Sequence, residues 1–481
     1  MARPRPEARS PRVRPAALPV LLALTAGVFA GGCARDDRPN ILLVILDTAR
    51  ADRFPWQGYA KPTAPRLAEL ARDGAVYTQA FSPGPWTVPA HASLFTGQYP
   101  SLHRTDCGSL RLPDEAATLA ETLRASGYRT IGYTANPWIG KGYNFHQGFD
   151  TYVETWRDVP DQSEDTGATI TNERVIRWLR WRQENREARR QPFFLFINYF
   201  EPHLPYHPPE PERTRLIGPG ADPRRVARLS RLSHPEEMRF IMGISDLDGE
   251  DLALLNALYD GEIAYVDRKV GEILDTLRGL GILDRTVIAV AGDHGENIGD
   301  HGMMDHKLSV HDTLLHVPLL LRYPPRVPPG QVVPAAVQLH DLHPTILALA
   351  GVPPPAATPI EAVPLPGAGV PTPGRDPAGP IVAEFVGPPV EFLDVLEDLF
   401  PGQDLSRFDR KLVALRQGGW KIHWGSDGRH ALFHVVEDPG ETRDLATAET
   451  GRVQAFENLV DAWLRRDTRR SWQPGPGAPP P

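Results

Sequence analysis

Cysteine is almost missing from this chain of 481 residues, which has only Cys33 and Cys107. If a signal cleavage or an acyl group takes Cys33, one thiol remains, so a mature chain has no internal disulfide. A thiolate metal cluster is excluded as well. Lysine is also scarce, six among 52 basic residues. There is no excess of positive charge: 52 basic residues face 60 acidic ones, both signs interspersed, for a net charge of −8. That excludes the basic face a nucleic-acid binder needs. Internal repeats are lacking, and the one long apolar run, Ala16–Ala30, is too short to cross a bilayer comfortably.

That run has a meaning of its own. Arg3, Arg5, Arg9, Arg12 and Arg14 precede it and "AGGCARDD" ends it. A basic region, an apolar core and small residues make an export signal. The small residues sit directly before Cys33, which resembles a bacterial lipoprotein signal with Cys33 as the lipidated first residue. The other reading is an ordinary cleaved signal with an incidental cysteine, since Ala30 stands where such boxes prefer Leu. The expectation is an exported protein, lipid-anchored in the bacterial periplasm or at the cell surface. Proline, by contrast, is abundant: 51 residues, about twice the usual share. It clusters at Val352–Pro380 and after Trp472, as a stiff linker and a loose tail would.

Between these segments the chain alternates two periods. "NILLVIL", "PFFLFINYF" and "RTVIAVAG" are continuous apolar runs with the length of buried parallel strands. "TAPRLAELARDG", "TNERVIRWLRWRQE" and the segment Asp251–Leu280 have helical spacing, and "PDEAATLAETLRASGYRTIGYTAN" reads as helix, Gly127 turn, strand. Alternating strands and helices predict an α/β fold with a mostly parallel sheet sandwiched by helices. A smaller C-terminal α+β unit follows, with hairpin strands in "RKLVALRQGGWKIHW" and "ALFHVVEDPGETRDLA" and a closing helix near Val453–Arg465. The expected organisation is a signal and tether at 1–37, a catalytic domain at 38–350, a linker at 351–380, the small unit at 381–468 and a tail at 469–481.

In open α/β sheets, ligands bind at the carboxyl ends of the strands. Asp47 ends the first apolar strand; Asp293 ends another and is followed by His294 in "AGDHGENIGDHG". Two strand-end acids with one imidazole suit a hard or borderline divalent ion such as Mn, Mg, Ca or Zn. "PAHASLFTG" reads as a helix running to Gly97, which puts Thr87 at or just before a helix N-terminus. There it either caps orphan amides or faces a bound anion.

The segments "RPNILLVILDTARADR", "TVPAHASLFTGQYPSLH", "EPHLPYHPP", "AGDHGENIGDHGMMDHKLSVHDTLLHVPLLLRYP" and "LFHVVEDPGETRDL" resemble the sulfatase family of the alkaline-phosphatase superfamily, in family order from Arg38 to about Leu445. The resemblance implies an alkaline-phosphatase-like fold and an anionic ester substrate. In that family the Thr87 position usually holds a Cys within Cys-x-Pro-x-Arg, oxidised to formylglycine. Here Thr87 replaces the Cys and His91 the Arg. A secondary alcohol cannot give that aldehyde by the known route, so the ordinary sulfatase cycle is not expected. Threonine does serve as nucleophile in the related phosphoglycerol and phosphoethanolamine transferases. By resemblance, Asp47, Thr87, Asp293 and His294 hold one metal ion. Thr48, standing where the family has a second Asp, suggests a single-metal site of the transferase kind.

Around that centre the expected catalytic residues are Thr87 as nucleophile, with His91 one helical turn on. His203 of "EPHLP" matches an anion-contacting position, and Lys307 matches a family lysine on the transferring group, with His306 competing for its role. His103 and Arg104 read as structural, and Arg50 and Asp52 as ties for the segment after the first strand. The leading expectation is a metal-dependent hydrolase or transferase of sulfuric or phosphoric esters, favouring phosphoryl or phosphodiester chemistry. The alternative is a catalytically silent binding lipoprotein that keeps the fold as a scaffold.

Overall fold

The computed structural model describes residues 37–160, 165–355, 360–372, 376, 379–388 and 390–466, together with Met1. Cys33 and the 469–481 tail lie outside the described residues, as does nearly all of the signal and tether at 1–37.

Eight strands make the main sheet: β1 (Asn40–Leu46), β2 (Ala75–Tyr77), β3 (Arg129–Thr134), β4 (Thr151–Glu154), β5 (Phe193–Tyr199), β6 (Thr286–Gly292), β7 (Leu319–Arg322) and β8 (Gln331–Val333). Their spatial order is β8-β2-β7-β6-β1-β5-β3-β4. Every residue of β1, β5 and β6 is buried, which is why those strands are written as unbroken apolar runs rather than alternating ones. β1 pairs in parallel with β5 and β6, and β3 pairs in parallel with β4 and β5. Only β7 runs antiparallel to its neighbours, β6 and β2. The sheet is mixed and mostly parallel, as expected.

Helices α1 (Thr87–Thr96), α2 (Ala168–Glu184), α3 (Gly249–Gly279) and α4 (Thr450–Arg466) carry most of the argument below. α3 begins where Asp248 accepts a hydrogen bond from the Asp251 amide, so its first turn has its orphan donors satisfied. It buries one long face that includes Leu255, Leu258, Val266, Ile273 and Leu277. Although α3 has 31 residues, no described helix is long and apolar enough to cross a membrane.

The C-terminal unit is a separate antiparallel sheet, β9 (Ile381–Phe385), β10 (Leu412–Gln417), β11 (Trp420–Gly425) and β12 (Ala431–His434), paired in that order. Phe456 and Val460 of α4 close over Val413, Leu415 and Ile422 in a small core that also takes in Tyr99 from the main body. The two sheets are locked by a compensated charge cluster. Asp312 accepts from Arg416 at 2.8 Å and from Lys421 at 2.6 Å. Lys421 also meets Glu441 at 2.7 Å, and His423 lies 3.0 Å from the same carboxylate.

One expectation needs correction. The described part of the 351–380 linker is not a free spacer: Leu365 and Ala368 are fully buried, and the Val363 and Leu365 amides donate to Asp341 and Thr345. Its prolines stiffen a strap laid on the core, because Ala362, Leu365 and Ala368 supply apolar area that a linker lacks. The stretch Pro208–Glu250 carries three short helices, at Glu212–Ile217, Pro223–Leu229 and His234–Ile241. Two open on an Asp222 cap and a Ser233–Glu236 capping box, signals that were there to be read.

Candidate active site

β1 and β6 are neighbours in exact parallel register, Leu46 beside Gly292, so the residues that follow them, Asp47 and Asp293, emerge side by side. One oxygen or nitrogen from each of Asp47, Asp293 and His294 lies within 4.8 Å of the others, and all three residues are buried. The backbone is bent to bring this about. Thr48 sits at φ 59, a left-handed conformation costly for a β-branched residue, and its amide donates to Asp293 Oδ1 at 3.1 Å. A Cβ on Gly295 would stand 2.0 Å from the Thr313 carbonyl oxygen, so only glycine fits after His294.

Thr87 is the first residue of α1, with Trp86 as N-cap and no side-chain cap bond. Thr87 is therefore not the N-cap, and its hydroxyl is engaged by His294 and Asn136 instead of capping a helix amide. Thr87 Oγ1 lies 3.2 Å from His294 Nε2. His294 Nδ1–H is used on the Gly295 carbonyl at 2.9 Å, which leaves a lone pair on Nε2 aimed at Thr87 and the carboxylates. Asn136, two residues beyond β3, donates to Asp47 Oδ2 at 2.6 Å and lies 3.5 Å from Thr87 Oγ1.

Burial sets the electrostatics. It pushes the Asp47 carboxyl up to about 6, against the Asn136 hydrogen bond. Asp293 is raised well above the usual carboxylate range by burial and by the charge of Asp47. Two carboxylates are thus held out of water, facing each other, with no lysine or arginine side chain among the described residues paired to either. Asp47 Oδ1, Asp293 Oδ2 and Thr48 Oγ1 are buried with no hydrogen-bond partner. Orphaned acceptors of this kind need an explanation, and a divalent ion supplies one. Two carboxylates, an imidazole and an alcohol are a donor set such an ion accepts.

The other expected residues divide into two groups. His306 and His203 line up with the centre: His306 lies 4.6 Å from His294 and 4.9 Å from His203, ring centre to ring centre. Burial disfavours a charge on His306, but Asp305 at 2.7 Å and Glu296 at 3.3 Å outweigh it and raise its pKa to about 10. Burial and that neighbouring cation depress His203 to about 3. His306 is the cation of the row, and its neighbours stay neutral.

His91 and Lys307 are placed less directly. His91 Nδ1 lies 3.0 Å from the Thr87 carbonyl and 3.4 Å from Asp293 Oδ2, beneath the site, with burial lowering its pKa to about 4. It brings no positive charge where the family has an arginine. Lys307 Nζ donates to Asp305 Oδ2 at 2.6 Å, which ties it to the carboxylate beside His306. His103 is structural as expected, bonded to Ser93 Oγ at 2.9 Å and accepting from the Thr105 amide at 3.0 Å. Arg50 pairs with Asp52 and Asp300 and holds the Glu296 carbonyl.

Asn136, Asn198, Glu296 and Asp305 went unread in the sequence. Asn198 is the one amide in an apolar strand, and it reaches Asp47 Oδ2 at 3.4 Å. Asn136 follows β3 as Asp47 follows β1, so the strand-end argument applied to it equally. Glu296 and Asp305 carry no local signal beyond sitting near His294 and beside His306.

The sulfatase family model matches residues 39–352. The chain belongs to the sulfatase family. It is 24% identical to a choline-sulfatase of Rhizobium meliloti, with 90% of each chain aligned. It is 28% identical to arylsulfatase K of Danio rerio over 66% of this chain and 65% of that protein. Among solved structures, a phosphonate monoester hydrolase of Agrobacterium radiobacter superposes with a TM-score of 0.69, at 24% identity, covering 89% of this chain and 96% of that one. A 2-O GAG sulfatase superposes with a TM-score of 0.70 at 19% identity, covering 90% and 94%. These likenesses support the mostly parallel sheet flanked by helices as the family's fold.

Proposed function

We propose that this sulfatase-family protein is an exported ester hydrolase or transferase that uses Thr87 itself as nucleophile on a phosphoric or sulfuric ester, with phosphoryl chemistry preferred. One observation carries the reading: a buried hydroxyl at a helix N-terminus, 3.2 Å from His294 Nε2, beside two carboxylates whose inward oxygens have no partner. A scaffold that only bound a ligand would gain nothing from that arrangement, which costs stability.

Asp47, Asp293, His294 and Thr87 would hold one divalent ion, which when bound lowers the hydroxyl pKa and offsets the substrate's negative charge. The protein's own groups do the rest. The N-terminus of α1 favours an anion at the reacting centre. Asn136 fixes Asp47 and sits beside the nucleophilic oxygen. Thr87 Oγ1 loses its proton to solvent water and forms a bond to phosphorus or sulfur as the bond to the alcohol oxygen breaks, leaving a phospho- or sulfo-threonine. The departing alkoxide takes a proton from His306, which Glu296 and Asp305 keep charged. Water or an acceptor alcohol then attacks the threonine ester and restores Thr87.

Two relatives bear on the ester class: the structural neighbour is a phosphonate monoester hydrolase and the sequence relative a choline-sulfatase. Preference for phosphorus rests on Thr87, which keeps its alcohol where the sulfatase pattern makes an aldehyde. Export and acylation at Cys33 belong to the same proposal. Assaying the purified protein on phosphodiester, phosphomonoester and sulfate-ester substrates, with Mn, Ca, Mg or Zn added, decides the matter. Turnover of a phosphate ester that disappears with Thr87→Ala supports the reading, and turnover retained by Thr87→Ala ends it.

A further inference from the structure

The edge of the sheet opposite the catalytic centre has an unusual charge. β1, β3, β5 and β6 run in parallel, so their first residues share one edge and Asp47 and Asp293 lie at the other. The first edge is tied into one rigid surface. Arg38 donates to the Ser126 carbonyl at 2.5 Å, Gln191 to the Gly127 carbonyl at 3.0 Å, and Arg182 to the Gln191 carbonyl at 2.8 Å. The C-terminal end of α2 arrives there, and Arg182 reaches Asn40 at the start of β1.

From Ala168 to Arg190 the sequence has seven arginines and three glutamates, in a chain whose net charge is −8. Arg182 is buried on backbone carbonyls and Arg174 pairs with Asp158. Arg177, Arg180, Arg186, Arg189 and Arg190 are exposed, and no ion pair among the described residues engages them. Trp181, with 52% of its surface exposed, lines one groove with Arg177 and Arg180 and with Glu173 and Glu184. Arginines around an exposed indole suit an interface with phosphates on one side and acyl chains on the other.

We infer that this edge is a docking surface for an anionic phospholipid bilayer, which Arg177, Arg180, Arg186, Arg189 and Arg190 and the Trp181 ring contact directly. The inference rests on the lipoprotein reading for its tether: Cys33 precedes Asp37 by four positions, about 14 Å of extended chain at most. An acyl chain together with a basic patch makes a stable two-part anchor.

The consequence for the enzyme is an orientation. Asp47 lies seven residues along β1 from Asn40, about 23 Å beyond the docked edge. The nucleophile then works away from the membrane. Its substrate is a soluble ester or a polymer that stands off the surface, and a headgroup in the anchoring leaflet lies out of reach.

Among the described residues the buried core runs from Ile41 to Val460, so a chain starting at Asp37 keeps all of it and is the form to test. Its co-sedimentation is measured with phosphatidylcholine vesicles made with and without phosphatidylglycerol, in rising salt. Binding only to the anionic vesicles, fading with salt, is expected. The combined variant Arg186→Glu, Arg189→Glu, Arg190→Glu is expected to weaken it at least tenfold while turnover of a small soluble ester stays unchanged. Arg443→Glu, at an exposed arginine of the C-terminal unit, controls for charge reversal away from the surface and should bind as the parent does. Equal vesicle binding by parent and triple variant overturns the surface, as does retention on heparin with no vesicle binding, which would mark a polysaccharide site. Mass spectrometry of the full mature chain tests the tether separately: vesicle binding by the Asp37 chain beside an unacylated Cys33 upholds the surface and removes only the anchor.

Discussion

Two of the buried charge clusters among the described residues are built on opposite terms. In the junction between the sheets, Glu441 meets Lys421 and His423, and Asp312 meets Arg416 and Lys421, so every carboxylate has its cation. At the ends of β1 and β6, Asp47 and Asp293 face each other with no lysine or arginine paired to them, and the histidines against Asp293, His91 and His294, are kept neutral by burial. Glu441 is accordingly held well below its usual range: burial raises it, but Lys421 and His423 overcome that. Asp293 moves the other way. A paired cluster does structural work, whereas an unpaired one stores unfavourable energy that only a ligand or a reaction removes.

The largest test of that contrast is at the nucleophile. Thr87→Ala should lower turnover by about a thousandfold or more, since a covalent route is lost, while melting stays near that of the parent. Thr87→Ser should keep a measurable share of activity because the hydroxyl survives. A rate assay beside a melting curve separates the effects.

The paired cluster should show the reverse. Lys421→Met leaves Glu441 and Asp312 short of a cation in a buried junction and should cost about 3–5 kcal/mol of stability by denaturant unfolding. Where the variant is still folded, turnover should be little changed. Large loss of rate without loss of stability would show that the junction supports the reaction directly and would blur the distinction.

Metal sharpens the comparison next. Adding the preferred divalent ion at about a hundredfold over its dissociation constant should stabilise the parent by about 2.7 kcal/mol. Asp293→Asn should abolish that shift while leaving the metal-free protein as stable as the parent or more so, because the mutation removes a carboxylate facing Asp47. A metal-free Asp293→Asn protein markedly less stable than the parent would contradict the claim that this pair is unpaired and repulsive.

The same contrast explains what could be read in advance. Asp47, Asp293 and His294 were legible because a polar residue ending a buried apolar strand is conspicuous, and Thr87 because a helix begins there. The strand runs themselves gave the parallel sheet. Asn136 was not legible as a partner of Asp47, because β3 joins β1 only through β5, an order that no local pattern reveals. Lys307 read as a cation for the substrate, yet it is bonded to Asp305, two residues away, a pairing that depends on how that short turn closes. The Pro-rich strap read as a linker because composition reports stiffness; burial of Leu365 and Ala368 is decided by the surface they land on.

The smallest expected effect is in pH, and it separates neutral buried histidines from the paired carboxylate. Burial holds His103 at about 3 in the folded protein, against an ordinary histidine value of 6.5. Below pH 6.5 the unfolded chain takes up a proton that the folded chain refuses, so stability falls as pH drops from 6.5 toward 3. By pH 5 the loss from this one residue is about 2 kcal/mol. Glu441 acts in a lower window: its folded pKa is depressed, so its contribution is full above the usual glutamate range and is lost only as pH falls below it. His103→Gln, which keeps a polar group near Ser93, should lose about 2 kcal/mol less than the parent between pH 7 and pH 5. Glu441→Gln should instead flatten the profile only below about pH 4.5. Urea titrations of the two variants across that range test the assignment; identical profiles above pH 5 for His103→Gln and the parent would show that His103 takes up its proton in the folded state.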